Sequence, residues 1–202
     1  GELSGVLGSS AAFDAKTLEE RIRAFCVEKG LKPNQVFHPI RVAVSGILMR
    51  PDLFQLIEYA ARKGLRVSLA PSATPLATYD ALCQARDSGV ARVSISLDAA
   101  SPASHDAFRG VKGSYQRTTA ILEDVGRAGL SLQINTTVSR YSLPELDRLA
   151  ELVGGWGIAM WDIFFLVPTG RGRAEDMVSP QQHEEVLHWL YDLSRRAPFD
   201  VK

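Results

Sequence analysis

The sequence predicts an α/β fold, a barrel-type sheet of parallel strands wrapped by helices and preceded by a short helical segment. Three observations carry the prediction. From about residue 41 onward, apolar runs of strand length alternate with amphipathic stretches of helical period. Glycines stand where the helices should stop, at Gly64, Gly89 and Gly129. No Gly-x-Gly-x-x-Gly follows a strand, which weakens the case for an open dinucleotide-binding sheet.

Each element has its own signal. Residues 1–12, with Gly5, Gly8, Ser9 and Ser10, read as loop. Asp14 suits the N-cap of a helix over 15–29, stopped by Gly30, whose apolar face is Leu18, Ile22, Phe25 and Cys26. A turn at 31–34 leads to a strand over 41–44. Pro51 suits the first position of a helix to Lys63, followed by a strand over 65–70 and a helix over 78–88. Then come a strand over 91–98, a helix over 114–128 and a strand over 130–138. Ser142 and Glu145 have the spacing of a capping box for a helix to about Val153. A strand over 158–167, a helix opened by Ser179-Pro180 and running to about Arg196, and a strand over 199–201 complete the series. Runs such as Val93–Leu97 and Ile163–Val167 suit strands buried on both faces.

Composition narrows the function classes. With 202 residues, 46% of them apolar, the chain can bury a core as one domain or one plus a small appendage. Its 23 basic and 23 acidic residues cancel, which argues against holding nucleic acid or an anionic membrane by bulk charge. Cys26 and Cys83 form no motif, so a reducing, cytoplasmic setting is expected rather than a disulfide framework. No apolar run approaches the ~20 residues of a membrane span, and Gly1-Glu2-Leu3-Ser4 lacks the features of a signal peptide. The missing initiator Met and the strand opening at Phe199 suggest a piece of something longer.

In parallel βα architecture the C-terminal strand ends share one rim, where ligands bind. That rim should gather Ser72, Thr74, Ser96, Asp98, Asn135 to Thr137, Arg140 and Thr169 to Arg173. Asp98 is either a ligand contact or the cap of the helix after Pro102. Asn135, Thr136 and Thr137 are either bonded to a ligand or satisfied by backbone. The Pro168–Arg173 loop could hold a carboxylate or phosphate, or be a solvated turn. His105 and Arg109 can share a helical face but have no further ligand at metal spacing, so no metal residue is assigned. His183 and His188 read as surface or boundary residues, and Trp156, Trp161 and Trp189 as packing.

Several motifs occur in a recognisable order: Arg50-Pro51-Asp52-Leu53-Phe54, Val93-Ser94-Ile95-Ser96-Leu97-Asp98, His105-Asp106-Ala107-Phe108-Arg109-Gly110 and Gly113-Ser114-Tyr115. Gln133-Ile134-Asn135-Thr136-Thr137-Val138 and Phe164 to Gly172 continue the series. Through them, residues about 48–202 resemble the radical SAM superfamily, in the branch that often carries a SPASM-type extension and includes peptide-modifying and haem-pathway enzymes. The resemblance implies a partial (β/α)6, TIM-like barrel. It also implies S-adenosylmethionine and a [4Fe-4S] cluster as cofactors, with reductive cleavage to a 5′-deoxyadenosyl radical. Carried over by position, Ser96 contacts the aminoacyl or ribose part and Arg109 the carboxylate of S-adenosylmethionine. Asn135 is a weaker ribose candidate, and Leu166 packs near adenine.

Two departures bear on activity. The family's Cys-x3-Cys-x2-Cys loop, which holds the cluster, has no counterpart, and neither does its Gly-Gly-Glu-Pro motif. Residues 45–50, Ser45-Gly46-Ile47-Leu48-Met49-Arg50, stand where the latter belongs. Upstream, Phe13-Asp14 to Glu19, Phe25 to Lys32 and Gln35 to Gly46 resemble the C-terminal, anticodon-binding part of glutamyl-tRNA synthetase. The expected division is therefore 1–46 and 47–202, meeting near Ser45–Leu48 as a fusion or composite. The resemblances imply a radical SAM fragment for a peptide or tetrapyrrole-like substrate, inactive as this chain. A tRNA-binding module or a composite without activity is the alternative.

Overall fold

The computed structural model describes Leu48, residues 51–168 and residues 172–202. The elements expected before residue 47, the 45–48 junction and the tip of the basic loop at Thr169, Gly170 and Arg171 lie outside the described residues.

The described chain runs α1 (Leu53–Arg62), β1 (Val67–Leu69), α2 (Tyr79–Asp87), β2 (Val90–Ser96), α3 (Pro102–Arg109) and α4 (Ser114–Arg127). It continues through β3 (Leu132–Val138), α5 (Leu146–Gly154), β4 (Met160–Phe165), α6 (Pro180–Ser194) and β5 (Asp200–Val201). The strands form one sheet in the order β1-β2-β3-β4-β5, every pair parallel. Each crossover lands on the next strand, as staves do in a barrel. A doubly wound sheet would reverse its order at a switch point. The fold is the expected parallel α/β, TIM-like architecture.

The strands differ from expectation in one respect. They are not apolar on both faces. Val93 and Ile95 of β2 and Leu97 just beyond it are buried against the helices, and Leu132, Ile134 and Val138 of β3 and Trp161 of β4 share their face. Leu53 and Ile57 of α1, Leu82 and Ala85 of α2, Leu122 and Val125 of α4, and Leu149 and Val153 of α5 close this core. The opposite face is polar: Ser94 pairs with Gln133, Ser96 with Asn135, and Asn135 with Asp162 in register. Serines inside an apolar run conceal the period-2 alternation, because the run is read for length before it is read for phase.

Two helix starts also differ. Pro51 and Asp52 form a turn, and α1 begins at Leu53. Ser142 does not cap α5: its backbone is helical (φ −87°, ψ −26°), whereas a capping residue needs an extended one. A 3-10 turn over Leu143–Glu145 precedes α5, and the Ser142 hydroxyl folds back to donate to the Thr137 carbonyl. Thr78 caps α2, and Ser179 with Gln182 forms a complete capping box on α6.

Candidate ligand site

The rim at the end of β2 is built around a buried carboxylate. Asp98, 1% exposed, accepts the Thr137 N–H on Oδ1 at 2.9 Å. Its Oδ2 lies 2.5 Å from Nε of Arg109, an ionic contact off the hydrogen-bonding line. Its own N–H donates to Nδ1 of His105 at 3.2 Å. Asp98 is therefore not a helix cap. Ser101 caps α3 instead, accepting from the Ser104 N–H, because it has the extended backbone a cap requires.

His105 and Arg109, four apart on α3, grip Asp98 from backbone and carboxylate sides. His105 is fully buried. Because Nδ1 accepts, the ring proton belongs on Nε2, which faces the Ser114 hydroxyl at 3.4 Å. Burial pushes the His105 pKa down; Asp98 opposes this, Arg109 adds to it and Asp106 opposes it, and the net direction is down. The ring is a neutral structural acceptor. Asp106 joins α3 to α4 by accepting the N–H groups of Tyr115, at 2.8 Å, and Gly113. The Tyr115 bond is the main cause holding its carboxyl below the usual range; burial opposes it and the Gly113 bond assists.

Glu145 closes the same loop from the far side. It accepts the Ala100 N–H at 2.8 Å and the hydroxyls of Ser101, at 3.0 Å, and Ser104. Burial alone would raise its pKa, but the bonds from Ser104, Ser101 and Ala100 together outweigh it and hold the carboxyl below the usual value. A depressed folded pKa stabilises above the unfolded value and is lost as pH falls through the folded one. Glu145→Ala is expected to lower stability by about 2 kcal/mol at neutral pH, as for hydrogen bonds to a charged group. The deficit should shrink below about pH 4, where the unfolded carboxyl protonates, in paired urea titrations across that range.

The polar sheet face carries a second network. Gln133 Nε2 donates to Oδ1 of Asn135 and Oδ2 of Asp162, both at 2.8 Å. On the opposite face, the Thr136 hydroxyl donates to the Leu97 carbonyl at 2.6 Å and accepts from Nε1 of Trp161 at 2.8 Å. Thr136 is thus satisfied internally, while half-buried Asn135 lies on the polar face beside Ser96. Leu166, just beyond β4, donates its N–H to the Val138 carbonyl.

Ser96, Asp98 and Leu166 fall at or just beyond strand ends, Asn135 lies in the middle of β3 level with Ser96, and Arg109 is brought in by α3. Ser72 and Thr74 occupy the loop after β1. Arg140 is exposed and held by Asp176 and Tyr141, and Arg173 pairs with Glu175. His183 stacks on Phe165 at the boundary, and Trp161 is core. Gln133, Asp162, Asp106 and Glu145 were not read from sequence as residues of the site. The first two carry a usable signal, a polar residue in phase with Asn135 on adjacent strands. Glu145 carries a misleading one, since its spacing from Ser142 mimics a local cap. Among the described residues, no helix is long and apolar enough to cross a membrane.

A family model for an anticodon-binding domain matches residues 1–65. A glutamate–tRNA ligase of Chlorobaculum parvum is 36% identical over 63 residues, 31% of this chain and 12% of that protein. An AdoMet-dependent heme synthase of Methanosarcina barkeri is 42% identical over 155 residues, 77% of this chain and 44% of that protein. The chain thus spans about half the length of that relative or less. The solved structure of coproporphyrinogen III oxidase from Escherichia coli, a radical SAM enzyme, superimposes with a TM-score of 0.59 at 14% identity, covering 76% of this chain and 38% of that one. Over its parallel part-barrel the chain therefore belongs to the radical SAM superfamily, and its first residues are similar to a tRNA synthetase's anticodon-binding region.

Proposed function

We propose that this chain carries the S-adenosylmethionine-binding rim of a radical SAM enzyme acting on a tetrapyrrole-like or peptide substrate, and that it does not perform the cleavage by itself. The observation that carries the reading is the placement of Arg109 beside a sheet face whose polar residues, Ser96 and Asn135, are in register. Ser96 would meet the aminoacyl or ribose part, Arg109 the carboxylate, Asn135 the ribose and Leu166 the adenine. When bound, S-adenosylmethionine supplies the sulfonium that this superfamily cleaves reductively. The similarity to a heme synthase favours the tetrapyrrole-like substrate; the peptide-modifying branch, including enzymes with a SPASM extension, supplies the other.

The [4Fe-4S] cluster of the family does not fit the described residues. Such clusters are held by several thiolates, the described cysteine is half-buried Cys83 on α2, and no described group of His, Cys, Asp or Glu could hold a metal. Cys26, outside the described residues, is the chain's other thiol. Anaerobic treatment with iron and sulfide should therefore leave the protein colourless and release no 5′-deoxyadenosine, while equilibrium dialysis detects S-adenosylmethionine binding. A brown protein that releases 5′-deoxyadenosine overturns the inactivity. Absence of binding at millimolar ligand overturns the rim.

The match over residues 1–65 supports a second reading, contact with tRNA. Its test is salt-dependent binding of tRNA-Glu that disappears on deleting residues 1–46.

A further inference from the structure

We infer that Asp98 is a positioning residue that holds the Arg109 guanidinium by its Nε side, so that the two Nη groups face the rim as a preformed fork for a ligand carboxylate. The inference rests on the proposed S-adenosylmethionine site and adds a residue to it.

Asp98 is itself fixed on two sides. Thr137 N–H holds Oδ1 and His105 holds its backbone N–H, while Oδ2 lies beside Arg109 as an ionic contact. A carboxylate so constrained cannot follow a moving arginine; the arginine must come to it. Arg109 approaches through Nε, and its Nη groups make no hydrogen bond to any described residue. Its side chain is 35% exposed whereas Asp98 is 1% exposed, so the pair has a buried end and an open end. Guanidinium is planar, and a buried anion 2.5 Å from Nε leaves the two coplanar Nη donors unengaged, the pair that bidentate carboxylate recognition needs. The strand-end aspartate and the helical arginine eleven positions later thus act as one unit. His105, one helical turn before Arg109, supports it through the Asp98 backbone.

A competing effect has the opposite sign. If the Asp98 charge merely competed with a ligand carboxylate for Arg109, removing that charge would tighten binding. Asp98→Asn separates the two, since it keeps an oxygen for the Thr137 N–H and removes the anion. Affinities for S-adenosylmethionine and for 5′-methylthioadenosine, which lacks the aminoacyl carboxylate, would be measured on wild type and variant by calorimetry. The expected result is S-adenosylmethionine binding weakened roughly 3- to 10-fold, the cost of ordering one long side chain, with 5′-methylthioadenosine unchanged. Equal weakening of both ligands makes Asp98 a general structural residue and overturns the inference, as does tighter or unchanged S-adenosylmethionine binding. Wild type that binds neither ligand overturns the proposed site and this inference together. Should the variant not fold, 15N NMR of wild-type Arg109 decides. Nη signals restrained before ligand and shifted by S-adenosylmethionine alone support the preformed fork; freely rotating signals in the ligand-free protein overturn it.

Discussion

Trp161→Ala is expected to lower the stability of the part-barrel by about 3–5 kcal/mol, the range for removing a large aromatic from a packed core. Trp161 is 0% exposed at the middle of the sheet's apolar face. Its indole N–H donates to Thr136, and its ring meets Trp189 and Phe199 edge-on, at centroid distances of 6.1 and 6.4 Å. These contacts tie β3, β4, α6 and the segment leading to β5 to one side chain. Truncation opens a cavity that several elements would have to collapse to fill. Trp161→Phe keeps most of the ring and removes the hydrogen bond, so it should cost about 1–2 kcal/mol less than the alanine variant. Urea midpoints at unchanged slope check both values. An alanine variant within 1 kcal/mol of wild type would show that the aromatic cluster is dispensable.

The second large effect is expected at Gly89, between α2 and β2. Its φ is +101°, a backbone that side-chain-bearing residues rarely adopt, and an added Cβ would lie 2.6 Å from Cβ of Ala61. Gly89→Ala therefore combines backbone strain of about 1–2 kcal/mol with an overpacking cost of about 1–3 kcal/mol as α1 is pushed away. Gly64 is the control: its φ is +78°, but nothing lies within 4 Å of an added Cβ. Gly64→Ala should show the strain alone, about 1 kcal/mol. Thermal melts that place the two variants together would remove the contact between Gly89 and α1 as an energetic term.

Both cases show what the sequence could and could not carry. Gly89 was legible as a helix stop because the signal is local, a glycine after an amphipathic run. Its second duty, admitting Ala61 of α1, depends on a contact between elements that no local pattern encodes. Trp161 was legible as packing, but its partners Trp189 and Phe199 lie far along the chain. At the site, Asp98 and Arg109 were each marked by position, one at a strand end and one on a short helix. That they meet each other follows from the turn through Ala99–Ser101, whose course is set by Glu145 on another element. Thr136 and Asn135 are adjacent and equally polar, so only the phase of β3 separates the one that faces Trp161 from the one that faces Ser96.

That phase divides the labour of the sheet between two sets of residues on opposite faces. Val93, Ile95, Ile134 and Trp161 answer for folding; Ser94, Ser96, Asn135 and Asp162 lie on the other face of the sheet. A lineage can exchange members of the second set and explore new ligands while the first set keeps the scaffold standing. The same arrangement makes strand length unforgiving. One residue inserted into β3 after Leu132 would turn Ile134 toward the polar side and Asn135 toward the helices. Variation in such a protein is thus free in residue identity on one face, and held to whole pairs of residues in strand length.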